Sequence, residues 1–133
     1  MSQVIKFNDQ PQIDRGNGAT TAPLFLKENG ARSFISGIST FKPGVSVPVH
    51  SHNTDEMVIV LEGKGECEID GVKEQVSVFD TSYITAGEPH CFRNTGDEDM
   101  KILWVYASLE VTRTFLDNGI TVPHLSPEDR ISR

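Results

Sequence analysis

His50, Ser51 and His52 open the stretch "HSHNTDE", and Glu56 closes it. Imidazoles and carboxylates hold first-row transition ions, and here His50, His52 and Glu56 fall within seven positions. On a strand, residues i and i+2 project to the same side, so His50 and His52 can converge on one ion. Asn53, Thr54 and Asp55 then turn the chain, and Glu56 starts the neighbouring strand with its carboxylate beside the imidazoles. A fourth ligand has to come from elsewhere, where the remaining histidines are His90 and His124. His90 is the favoured one: Gly87 permits a tight turn before it, and Pro89 fixes the backbone just ahead of it. His124, between Pro123 and Leu125, reads as a surface histidine of the C-terminal tail, the lesser alternative being that the tail folds over the pocket and brings it near.

Other reactive side chains are weaker candidates. Cys67 and Cys91 lack CxxC spacing and read as reduced packing thiols. If His90 faces inward, Phe92 and Asn94 share its side and Cys91 points away. Tyr83 is a candidate acid/base or hydrogen-bond donor at the rim, and Glu56 is the other candidate catalytic group. Arg32, Arg93 and Arg113 are scattered and read as solvated surface arginines. "LEGKGE" at 61–66 is no phosphate loop, because no helix follows its two glycines.

The elements that must position these groups are short β-rich runs with Gly, Pro, Asn and Asp between them. They are "SFISGISTF" (33–41), "VSVPVH" (45–50), "EMVIVLEG" (56–63), "GECEID" (65–70), "VKEQVSVF" (72–79), "TSYIT" (81–85), "PHCFRN" (89–94) and "MKILWVYA" (100–107). The dipeptide Asp70-Gly71 is a hairpin signal, since both residues tolerate positive φ. Strands at this spacing predict an antiparallel sandwich or barrel. Residues 1–32 read as an N-terminal arm with one short strand near Thr20–Phe25, residues 33–108 as the core, and residues 109–133 as a tail. In the tail, "SPEDR" predicts a short helical turn, with Ser126 as cap and Pro127 at the first position. In "EMVIVLE", Val58 and Val60 share a face with Glu56, yet Met57, Ile59 and Leu61 on the other face are equally apolar. A strand apolar on both faces is covered on both, by the arm or, preferably, by a second copy in a homodimer.

At this point the sequence resembles the cupin superfamily. Its first motif is complete as Gly44, His50, His52, Glu56 and Gly63, and Gly87, His90 and Asn94 match the second. Phe79 stands where the second motif usually begins with Gly, and Thr85 stands where Pro is usual; both are backbone positions rather than ligands. The resemblance covers about residues 33–107. It implies an all-β, double-stranded β-helix (jelly-roll) barrel with a metal held inside by His50, His52, Glu56 and His90. Three imidazoles and one carboxylate suit Fe, Mn, Ni, Co, Cu or Zn, with coordination positions left open to a substrate.

The chain has 133 residues, 37% apolar and 23% charged, which suits one globular domain. A net charge of -7 argues against nucleic acid and anionic membrane as partners. No apolar run is long enough for a leader or a membrane span, so a cytoplasmic setting is expected. The partner is then a small molecule. The favoured function is Lewis-acid chemistry on a small oxygenated metabolite, of isomerase, lyase or hydratase type. The alternatives are a non-haem iron dioxygenase and a non-catalytic small-molecule binding barrel.

Overall fold

The computed structural model describes residues 2–131. Its twelve strands form two six-stranded sheets, and every pairing is antiparallel. The strands are β1 (Ile13–Gly16), β2 (Ala19–Pro23), β3 (Ile35–Phe41), β4 (His50–His52), β5 (Glu56–Glu62), β6 (Lys64–Ile69), β7 (Val72–Ser77), β8 (Thr81–Ile84), β9 (His90–Arg93), β10 (Met100–Tyr106), β11 (Thr112–Phe115) and β12 (Thr121–Pro123). One sheet runs β1-β2-β3-β10-β5-β8 and the other β12-β11-β4-β9-β6-β7. Helical structure among the described residues is confined to two 3-10 turns, Phe7–Asp9 and Lys27–Asn29. This is the antiparallel sandwich expected from the spacing of the runs, in the jelly-roll form that the resemblance implies.

Alternation builds the core. Along β3 and β10 every second residue is buried, and in β10 the inward set is Met100, Ile102, Trp104 and Tyr106. In β5 the inward set is Glu56, Val58 and Val60. Burying three or four such side chains at roughly 1.5–3 kcal/mol each gives each strand its register, because a one-residue slip would turn the set to solvent. Asp70 (φ 51) and Gly71 (φ 81) make the expected tight turn between β6 and β7. Cys67 and Cys91 are buried free thiols, as expected.

Several expectations are revised. Residues 45–49 form no continuous strand; Ser46 makes an isolated bridge to Arg93, and Val47 donates to Phe92 O at 3.1 Å. The arm supplies two strands, and it extends the first sheet beside β3 instead of lying over β5. Met57 therefore stays 37% exposed, and Ile59 and Leu61 are half-buried. The tail forms a hairpin, β11–β12, paired to β4. "SPEDR" makes turns and no helix, because Asp129 is drawn inside, where its carboxylate accepts from Leu125 N–H at 2.8 Å and pairs with Arg15 and Arg113.

Candidate metal centre

β4 places His50 and His52 on one face, and β9 places His90 directly opposite His50 in register. The three rings meet with centroids 4.4, 4.8 and 5.1 Å apart, and all three residues are buried. One ligand atom from each lies within 4.8 Å of the others, so this group can hold a metal ion. Glu56, at the start of β5 in the opposite sheet, reaches His90 Nε2 at 3.1 Å and His52 Nε2 at 3.6 Å.

The backbone fixes the imidazole orientations. His50 Nδ1 lies 2.6 Å from Pro48 O, His52 Nδ1 lies 3.0 Å from Thr112 O, and His90 Nδ1 lies 2.9 Å from Glu88 O. A carbonyl only accepts, so each Nδ1 carries the proton and donates, and each Nε2 is turned to the interior. Burial, reinforced by Arg113 and the neighbouring imidazoles, holds His50 well below the ordinary histidine range. Burial pulls His52 down to about 4 against the opposing charge of Glu56. Both are neutral at pH 7, with an Nε2 lone pair facing inward. Burial pushes the Glu56 carboxyl up, but the His90 and His52 imidazoles beside it and the Arg113 guanidinium outweigh this and leave it below the ordinary carboxylate range. The centre therefore brings acceptor lone pairs and a carboxylate together in a buried space. A cation satisfies such a set, and the tethering of each Nδ1 is the arrangement that orients metal-binding imidazoles.

The departures from the second motif have local explanations. At Thr85, the backbone N–H that Pro would lack donates to Glu88 Oε1 at 2.9 Å, and Glu88 N–H donates back to Thr85 O at 3.1 Å. This closed turn carries the carbonyl that fixes His90. Asn94 is a clamp: its Nδ2 donates to Phe41 O at 2.9 Å and Glu98 O at 2.8 Å, and its Oδ1 accepts from Gly96 N–H at 3.0 Å. Phe92 lines the cavity, and Asn94 is buried, in keeping with the parity of β9.

Tyr83 lies elsewhere. It is 67% exposed on β8, outside the cavity, and donates to Asp55 Oδ2 at 2.5 Å. Asp55 also accepts from Ala86 N–H at 2.8 Å, so this pair fastens β8 to the turn before Glu56. The other aromatic hydroxyl belongs to a residue that the sequence places only as a possible pocket-lining one, on one of two alternative faces of its strand. Tyr106, fully buried on β10, lies 3.2 Å from His52 Nε2. Burial first, then Glu56, raises the Tyr106 hydroxyl well above its usual range, so it keeps its proton and donates to His52.

Two further expectations are corrected. Arg113 is 7% exposed, and it lines the same cavity as His50, Glu56 and His90. It faces inward because β11 pairs it with His52, and it is held there by Asp129 at 3.1 Å. His124 is not a surface histidine of the tail. Its ring packs edge-on against Trp104 and Tyr106, each at 4.9 Å, and it lines the cavity. The β11–β12 hairpin carries it there. The cavity has a volume of about 40 Å³, with Arg15 from β1 on its wall as well.

Among curated proteins, the chain is similar to Protein SchB of Streptomyces halstedii, with 29% identity over 104 residues, covering 77% of this chain and 75% of that protein. It is also similar to Auxin-binding protein 4 of Zea mays, with 30% identity over 106 residues, covering 72% of this chain but only 52% of that protein. The chain thus spans about half the length of the maize relative. Among solved structures, the polyketide cyclase RemF from Streptomyces resistomycificus superposes with a TM-score of 0.74 at 23% identity, covering 97% of this chain and 89% of that one. The family model for the cupin domain matches residues 37–106, the segment that runs from β3 through β10 and carries all three histidines and Glu56. That match spans more than half of the chain, and with it the chain belongs to the cupin family.

Proposed function

We propose that this protein is a metal-dependent enzyme acting on a small oxygenated metabolite, with His50, His52, His90 and Glu56 as the ligands of a first-row divalent ion. One observation carries the reading: with each Nδ1 tethered to a backbone carbonyl, the three imidazoles cluster in one buried group, and the Nε2 atoms of His52 and His90 lie 3.6 and 3.1 Å from the Glu56 carboxylate. Such an ion would polarise a carbonyl and favour enolate chemistry, as in isomerisation, dehydration or lyase steps. The chain's own contribution is orientation and proton supply. Tyr106 is the candidate proton donor in this reading, since it keeps its proton and reaches the histidine centre, while Tyr83 ties down the neighbouring strand. Similarity to a polyketide cyclase and to an auxin-binding protein supports a small-molecule partner and leaves room for a second reading, a non-catalytic binding barrel.

The test is metal analysis of protein purified without added metal, beside His50→Ala and His52→Ala. Near-stoichiometric metal in the parent and little in either variant is expected; unchanged metal in the variants would mean that other groups bind it. Oxygen uptake with candidate diketones and catechols separates the dioxygenase alternative, which requires consumption tied to iron. A saturable ligand with no product formed would favour the binding barrel.

The reading includes a homodimer formed through the outer face of the first sheet. There Met57 and Ile59 of β5 lie beside Val105 and Leu103 of β10. Sedimentation should give a mass twice that of the chain, and Leu103→Glu should halve it. A clean monomer at micromolar concentration would remove the dimer. A cytoplasmic setting agrees with two unpaired thiols.

A further inference from the structure

The chain's own tail forms part of the cavity wall. His124 N–H donates to Val111 O at 2.9 Å beside β11, and Ile131 N–H donates to Arg15 O at 2.9 Å on β1. Residues 124–131 therefore cross from the outer edge of one sheet to the outer edge of the other. Beneath this crossing lie two buried guanidinium groups and one buried carboxylate, Arg15, Arg113 and Asp129. Asp129 Oδ2 is 2.9 Å from Arg15 Nη2, Asp129 Oδ1 is 3.1 Å from Arg113 Nη1, and Arg15 Nε donates to Asp129 O at 2.9 Å. Arg15 Nη1 donates to Thr21 Oγ1 at 3.1 Å, but Arg113 Nε is buried without a hydrogen-bond partner among the described residues.

Both arginines also line the cavity that His50, Glu56 and His90 line. The gap between the two centres is short: Arg113 contacts the Tyr106 hydroxyl, which lies 3.2 Å from His52 Nε2. Charge adds a second constraint. Two arginines are balanced by Asp129 and Glu56, so a divalent ion at the histidines would leave this interior with excess positive charge. Buried charge needs a partner, and a guanidinium pair favours the planar carboxylate that matches its donors. The cavity of about 40 Å³ takes a water or two and no metabolite, so room has to come from movement of a wall. His124 and Ile131 of the tail form part of that wall.

We propose that Arg15 and Arg113 recognise the carboxylate of a small anionic substrate, and that Asp129 holds their place in the closed molecule until the substrate displaces it and the tail lifts. This inference rests on the cavity being the active site, and it narrows the substrate class. The substrate is a short carboxylic acid with a second oxygen on the adjacent carbon, a 2-oxo or 2-hydroxy acid, whose carboxylate takes the arginines while the second oxygen faces the histidines. Asp129 is an internal competitor, and the apparent affinity for the acid is reduced by the fraction of molecules that are closed.

The experiment is titration of the full chain, as purified, with pyruvate and with its neutral amide, pyruvamide. Trp104, the single tryptophan, lines the cavity and reports binding by its emission. Hydrogen exchange at the Leu125, Asp129 and Ile131 amides, all bonded in the closed form, reports release of the tail. Pyruvate should bind saturably and speed exchange at these amides, and pyruvamide should do neither. Asp129→Asn should tighten pyruvate roughly tenfold, the factor expected if closed molecules outnumber open ones by about ten to one. Arg113→Gln should abolish the response with metal content unchanged. Equal binding of pyruvamide, or tail exchange unmoved at saturating pyruvate in the parent protein, would overturn the proposal even if the Asp129 variant does not fold. Stoichiometric metal with no carboxylate response sinks this inference and leaves the metal enzyme standing. Pyruvate binding that depends on the arginines in a protein that takes no metal does the reverse.

Discussion

Asn94 shows what a motif residue does when it is not a ligand. Its amide makes three bonds to the backbone around β9 and the turn that follows, in a site 2% exposed. Asn94→Ala would remove all three bonds, and the bond to the Phe41 carbonyl, which is fully buried, is the costliest to lose at roughly 1–3 kcal/mol. A drop in unfolding free energy of about 2–4 kcal/mol is expected by denaturant titration, with metal content per folded molecule unchanged. The clustering of His50 and His52 was legible because their spacing is local and strand parity does the rest, whereas His90 was reached through its turn context and the family resemblance. Arg113 and His124 were not legible. Nothing near Arg113 in the chain marks it as buried, since its partners Asp129 and Arg15 are brought to it only by the folded tail and by β1. His124 reads as exposed between Pro123 and Leu125 until β12 pairs with β11 and turns it against Trp104.

At the scale of elements, the runs of alternating residues gave β3, β5, β6, β9 and β10 to within two residues of their observed ends, because burial of one face fixes them. The ends of the chain were harder to read. "DNG" at 117–119 is a turn signal in its own right, and it closes the β11–β12 hairpin with Gly119 at φ 70. The segment before it alternates too briefly to stand out. Phe79 is the sharpest local conflict. It sits at φ 72 where the family's motif has Gly, its side chain is 72% exposed, and its N–H is held by Val60 O at 2.7 Å. A left-handed conformation costs a Cβ-bearing residue about 1–2 kcal/mol, partly offset by the greater freedom that Gly loses on folding. Phe79→Gly is expected to raise the unfolding free energy by about 0.5–1 kcal/mol, measured by thermal melting. Gly37 is the opposite case. Its neighbour across the strand pair is Trp104, and a Cβ there would overlap the indole ring. Gly37→Ala should destabilise by about 1–3 kcal/mol and shift Trp104 emission, whereas a surface Ala would do neither.

Over the whole molecule, the candidate ligands join the two sheets: three lie on β4 and β9, and Glu56 lies on β5 of the other sheet. An ion bound there by the folded chain alone stabilises it by mass action, about 4 kcal/mol at a thousandfold excess over Kd. Chelation should lower the melting temperature, and a melting temperature unmoved by chelator would argue against occupancy. The metal-free molecule should also lose stability in mild acid. Burial, with Arg113 and Arg15 nearby, holds His124 well below the ordinary histidine value. The unfolded chain then binds this proton more readily than the folded one, so stability is full above about pH 6.5 and falls as pH drops below it. His124→Phe, which keeps an aromatic ring against Trp104, should flatten that decline when melting is compared at pH 7 and pH 5.5.

β7 closes the second sheet at its outer edge, with Val72, Lys73, Glu74, Gln75 and Ser77 all exposed. A free edge offers unpaired backbone groups to any passing strand, and the charges of Lys73 and Glu74, one on each face, make that pairing costly. Solubility at high concentration should therefore depend on this strand, away from the histidine cluster. Replacing Lys73 and Glu74 with valine should leave the fold and the histidine cluster intact while turning this edge into a nucleus for fibrous aggregation.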